Sequence, residues 1–175
     1  MMGTGVSEME LIQDVVGVME ELNYVHQKLI DMEQLKTEAL IQNNTSELVE
    51  YIHQQTKLAR NVDTLEQKRQ QFVEKWLAAN NLVYQHLSLV DLIKMIPHHE
   101  AKQELSRLGE QLQTRMDELR NLNQSNQQLI EQSLSYINFT LRLAMNDPND
   151  HLTYGRSKQP ERTGSAQRGF FDSKA

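Results

Sequence analysis

From Ser7 onward, apolar residues recur at alternating intervals of four and three. Leu11, Val15, Val18, Leu22, Val25, Leu29, Met32 and Ala39 form the series, with Lys36 as its one exception. This spacing predicts a helix from about Ser7 to about Asn43 that packs lengthwise on another helix. Ile12, Val16, Met19, Ile30 and Leu35 widen the seam, so more than one neighbour is expected. A second stripe runs through Leu48, Ile52, Leu58, Val62, Leu65, Phe72 and Trp76, interrupted by Arg69, and closes near Asn80-Asn81. Asn44 with Glu47 three residues later reads as the N-cap of that second helix, with Thr45 and Ser46 competing for the cap. The connection is short, so the two helices should be antiparallel neighbours.

Ser88 as N-cap, Asp91 at the third helical position and Leu87 facing Leu92 start a short helix, which Pro97 stops. A third long helix begins near His98 or His99, with Glu100 favouring the positive end of its dipole. Leu105, Leu108, Leu112, Met116, Leu119, Leu122, Asn126, Ile130, Leu134, Ile137, Leu141 and Ala144 fall in one stripe of it. After Leu129 the apolar surface broadens, because Leu129, Tyr136, Phe139 and Leu143 flank the stripe. Between Val6 and Met145 the only proline is Pro97 and the only glycines are Gly17 and Gly109, too few turn formers for a sheet. The expected fold is all-α: an elongated antiparallel bundle of three long helices plus one short helix, over residues 1–145. Residues 146–175 carry Pro148, Gly155, Pro160, Gly164 and Gly169 among polar residues, and read as a flexible C-terminal tail. Gly169-Phe170-Phe171-Asp172 at its end has the form of a short docking segment.

Composition narrows the function. Hydrophobic residues make up 38% and aromatics 6%, which suits long helices packed along seams better than a thick interior. A net charge of -6 and a pI near 5.5 disfavour nucleic acid, whose phosphates need clustered Lys and Arg. There is no cysteine, hence no disulfide framework, thiol nucleophile or thiolate metal site. The N-terminus lacks the charged and apolar regions of a signal peptide, and Val15-Val16-Gly17-Val18-Met19 is too short to span a bilayer. A cytoplasmic protein without membrane insertion is expected.

The chemistry of catalysis is missing. His98-His99-Glu100 does not have the spacing that puts two imidazoles on one helix face, so its residues read as a helix start and no metal is expected. No phosphate loop or nucleophile elbow occurs, and neither an enzymatic role nor a cofactor is expected. Asn123 and Asn126 lie in or beside the third stripe, where an amide sets helix register or meets a partner; the segment from Asn80 to Ser88 could supply its hydrogen-bond partners. The broadened end of the third helix leaves two readings open. Either the short helix from Leu89 to Ile96 covers it, or it is an exposed patch awaiting another protein.

Three segments in this order resemble the FlgN family. They are Leu58 to Arg69, Leu89-Val-Asp-Leu-Ile-Lys-Met-Ile-Pro97, and Leu122 to Ile137 with its Asn-x-x-Asn at 123 and 126. Tyr154-Gly155 and Phe171-Asp172-Ser173-Lys174-Ala175 look like the Gram-positive, Bacillus-type branch of that family. The resemblance implies a cytosolic chaperone for hook-associated proteins 1 and 3, which form the hook–filament junction, and delivery to the flagellar export gate. It implies no catalytic residues, and it implies that cargo meets the C-terminal part. That role is carried to Leu129, Ile130, Leu134, Tyr136, Ile137, Phe139, Leu141 and Leu143, and to Phe170 and Phe171 in the tail. Tyr154 is a candidate for the export-gate contact. A self-associating coiled-coil scaffold is the alternative. Which junction protein is preferred, and whether the free chain is a homodimer, stay open.

Overall fold

The computed structural model describes residues 8–83 and 87–145. They form four helices: α1 (Glu8–Ile41), α2 (Thr45–Ala79), α3 (Leu89–Met95) and α4 (His99–Ala144). By packing, the chain divides into two units, Met1–Ile137 and Asn138–Ala175. The first contains α1 to α3 and most of α4.

The helix ends are written locally. Asn44 caps α2, its side chain accepting from the Glu47 amide at 3.3 Å, and Ser46 Oγ donates to the same Asn44 oxygen at 2.9 Å. Ser88 caps α3 in the same way, accepting from the Asp91 amide at 3.1 Å. Its hydroxyl also donates to the Asp91 carboxylate at 2.6 Å, and that bond holds the carboxyl below its usual range. Ile96, immediately before Pro97, is extended (φ -65, ψ 126), which ends α3. α1 and α2 end alike: Asn43 (φ 54) and Asn81 (φ 56) are left-handed, and the amides of Asn44 and Leu82 reach back to Ala39 O and Leu77 O, each at 2.9 Å. Asparagine tolerates this conformation better than other side-chain-bearing residues, so both helices stop without glycine.

Hydrogen bonds fix the directions. Glu33 meets Gln55 near the α1–α2 connection, so α2 runs back along α1. Asn23 meets Leu108 and Arg115, and Glu33 meets Asn126, so α4 runs parallel to α1 in an up-down-up arrangement. The apolar core is concentrated at one end of this unit. It joins Leu11 to Leu29 of α1 with Leu65, Val73, Trp76 and Leu77 of α2, Leu92 and Ile96, and Ala101, Leu105 and Leu108 of α4. No α2 residue before Leu65 is buried, and after Leu108 the only buried residue of α4 is Asn126.

The short helix belongs to that core end. Leu89 lies so close to Gly109 that a Cβ there would be 2.9 Å from Leu89 Cδ2, and Lys102 Nζ donates to Lys94 O at 3.4 Å. The reading in which the short helix covers the broadened end of α4 is therefore overturned. Leu89 packs on α4 at Gly109, many turns away from Leu129, and Leu92 and Ile96 are buried in the core.

Candidate functional site

Two polar clamps lock α4 to α1 and thereby set where its stretch from Leu129 to Ile137 lies. In the first, Asn23 Nδ2 donates to Met19 O at 2.9 Å and to Leu108 O at 3.0 Å, while its oxygen accepts from Arg115. The second centres on Glu33, which is 0% exposed. Its Oε1 accepts from Lys36 Nζ at 2.9 Å and from Gln55, and its Oε2 accepts from Asn126 Nδ2 at 2.7 Å. Asn126 Nδ2 also donates to Glu33 O at 2.9 Å. Thr37 Oγ1 lies 2.7 Å from Asn126 Oδ1 and 2.9 Å from Glu33 O, with one proton to give to either. Burial acts to raise the Glu33 pKa, but the bonds from Lys36, Asn126 and Gln55, together with the Lys36 charge, outweigh it and hold the carboxyl below its ordinary value.

Asn126 is thus a register-setting amide, as its place in the stripe suggested, but its partners come from α1 and not from the Asn80 to Ser88 segment. The reason is the parallel register of α1 and α4, which brings Glu33 and Thr37 beside it. Asn123 is exposed. Three residues turn a helix about 60° short of a full circle, so with Asn126 at the centre of the seam Asn123 falls outside it.

Past this clamp α1 runs out. Leu40, Ile41 and Asn43 form one wall of a groove whose other wall is Leu129, Gln132, Ser133, Tyr136 and Ile137 of α4. Leu129 and Ile130 are half-buried, whereas Leu134, Tyr136 and Ile137 are 55%, 70% and 51% exposed. In the second unit Phe139, Leu141 and Leu143 are all exposed. Phe170, Phe171 and Tyr154 lie outside the described residues. Sequence reasoning missed the first wall altogether. Ile41 is 68% exposed and falls about 20° from Ile30, eleven residues earlier, on the flank that widens the α1 seam; that spacing was the signal that could have found it.

The residues from Gln132 to Ile137 carry no charge, and neither do those from Leu40 to Ser46. Between His99 and Glu131, by contrast, α4 carries ten Asp, Glu, Lys or Arg residues. This surface can bury apolar area and exchange neutral hydrogen bonds through Asn43, Gln132, Ser133 and Tyr136. His98, His99 and Glu100 are exposed, and among the described residues no group of three His, Cys, Asp or Glu could hold a metal ion. Among the same residues no helix is long and apolar enough to cross a membrane.

The family model described as FlgN protein matches residues 2–162. Among curated proteins, the chain is similar to one called uncharacterized protein YvyG from Bacillus subtilis (strain 168). The two are 24% identical over 161 residues, which cover 92% of this chain and 97% of that protein. No solved structure is significantly similar to the chain.

Proposed function

Because the chain belongs to the FlgN family of flagellar export chaperones, we propose that it binds the terminal amphipathic helices of hook-associated proteins 1 and 3, masks them in the cytosol, and hands them to the export gate. FlgN chaperones bind flagellar hook-associated proteins, and the finer assignment to this chain rests on one observation. The exposed apolar residues of α4 lie on a charge-poor stretch that its own short helix leaves uncovered. Large bare apolar patches are rare on proteins that work alone. A helical client laying its i, i+3 and i+4 anchors on such a face is hidden from premature self-association. Release must follow at the gate, so moderate affinity suffices and no covalent chemistry is needed.

In this reading the client meets Leu129, Ile130, Leu134, Tyr136, Ile137, Phe139, Leu141 and Leu143, and residues 146–175 form a separate tail whose Phe170 and Phe171 add contacts. The test is the pair Ile137→Asp and Leu141→Asp, both at exposed positions. Co-purification of hook-associated protein 1 or 3 should be abolished while helical circular dichroism is unchanged. Persisting co-purification, or unfolding of the variant, would overturn the placement. The alternative, a scaffold that self-associates through the same residues, requires stable oligomers without client, which sedimentation detects.

A further inference from the structure

The seam of α4 continues past the point where α1 stops. Leu119, Leu122, Asn126, Ile130, Ser133 and Ile137 keep the three-and-four spacing of a helix that packs along another helix. Yet α1 ends at Ile41, and the chain turns back through the left-handed Asn43 into α2. The seam residues beyond that corner therefore have the pattern for a helical neighbour and no helix of this unit to supply it. Ile41 faces the same groove from the α1 side, and both walls are uncharged over Leu40 to Ser46 and Gln132 to Ile137.

We propose that this groove seats one amphipathic helix of the client in line with α1, taking along α4 the position that α1 vacates. The α1 corner is the second half of the site, with Ile41 a specificity-determining contact. The occupant presents apolar residues to Ile41, Leu129 and Ile137, with uncharged polar residues at the rim, where Asn43, Gln132 and Ser133 can exchange hydrogen bonds with it. With no charge on either wall, ion pairs contribute nothing to holding it. Its affinity should then be nearly independent of salt, unlike that of a charge-steered complex. The inference rests on the chaperone reading above and adds to it the corner, the placement and the neutrality of the contact.

The experiment is titration calorimetry of the full chain with purified hook-associated protein 1, at low and at high sodium chloride. It compares the parent with Ile41→Glu, Ile137→Glu and Val49→Glu. Val49 is 53% exposed on α2, outside the groove, and controls for an added charge. Burying one apolar side chain is worth enough that Ile41→Glu should weaken binding by roughly ten- to a hundredfold. Val49→Glu should leave it unchanged, and salt should alter the parent affinity by less than about threefold. Loss of binding in Ile137→Glu with full binding in Ile41→Glu would overturn the corner site and leave the chaperone reading standing. A steep fall of affinity with salt would overturn the neutral contact. No binding by the parent would overturn the chaperone reading and this inference together. Dimerisation of the free chain abolished by Ile41→Glu would give the groove to a second copy and overturn the client assignment.

Discussion

Replacing Asn126 by alanine should reveal how much of the join between α1 and α4 depends on a buried carboxylate. The substitution removes the donor to Glu33 Oε2 at 2.7 Å and the donor to Glu33 O at 2.9 Å. The backbone oxygen can recover, because the Thr37 hydroxyl is already 2.9 Å away and has lost its other acceptor. The carboxylate oxygen cannot. A hydrogen bond to a charged group contributes ~1.5–3 kcal/mol, and with the lost amide volume the variant should be destabilised by ~2–4 kcal/mol at neutral pH.

The sign of the pH dependence follows from the depressed pKa of Glu33. A carboxyl held below its ordinary value, about 4.5, stabilises the fold fully above that pH, and the contribution is lost as pH falls through the folded value. Asn126→Ala raises the folded pKa toward the ordinary one, so the gap between parent and variant should be widest at neutral pH and narrow below about pH 4.5. Urea unfolding followed by circular dichroism measures this in the parent, Asn126→Ala, Glu33→Gln and the double variant. A coupling energy of ~1–2 kcal/mol is expected. If Asn126→Ala cost the same in the parent as in the Glu33→Gln background, or if acid left the gap unchanged, the amide would merely fill space.

Two glycines of the long helices should respond in opposite directions. Nothing lies within 4 Å of a Cβ at Gly17, so Gly17→Ala should stabilise the protein by ~0.5–1 kcal/mol, seen as a raised thermal midpoint. At Gly109 the added carbons of Gly109→Val would meet Leu89 and lever α3 from α4. The expected loss is ~1–3 kcal/mol in urea unfolding, with a changed fluorescence of Trp76, which shares that core.

What could be read from the sequence was what is local. The caps at Asn44 and Ser88 and the stop at Pro97 depend on a handful of neighbouring atoms, and they stand where the residues put them. The helical stripes were legible because burial repeats along one face; even the exceptions have local explanations, Lys36 pairing with Glu33 and Arg69 with Glu66, each one turn earlier. Glu33 was invisible, since a carboxylate beside the seam looks like surface until α2 brings Gln55 and α4 brings Asn126 to it. The same long-range register decided which partners Asn126 found and which stretch of α4 the short helix packs on. The α4 wall of the groove was legible as apolar surplus. The α1 wall was not, because Ile41 is the last residue on the flank of Ile12 and Ile30 and matters only through what stands opposite.

The lopsided core has a consequence for how such a protein can change over time. Nearly all the apolar burial that holds the fold lies between Leu11 and Leu29, Leu65 and Leu77, and Leu92 and Leu108. Substitutions between Leu129 and Ile137 are remote from those contacts, and distant sites add almost independently. On the proposed placement of the client, binding preference can therefore drift at that end under little penalty from folding, while the opposite end stays pinned by its packing.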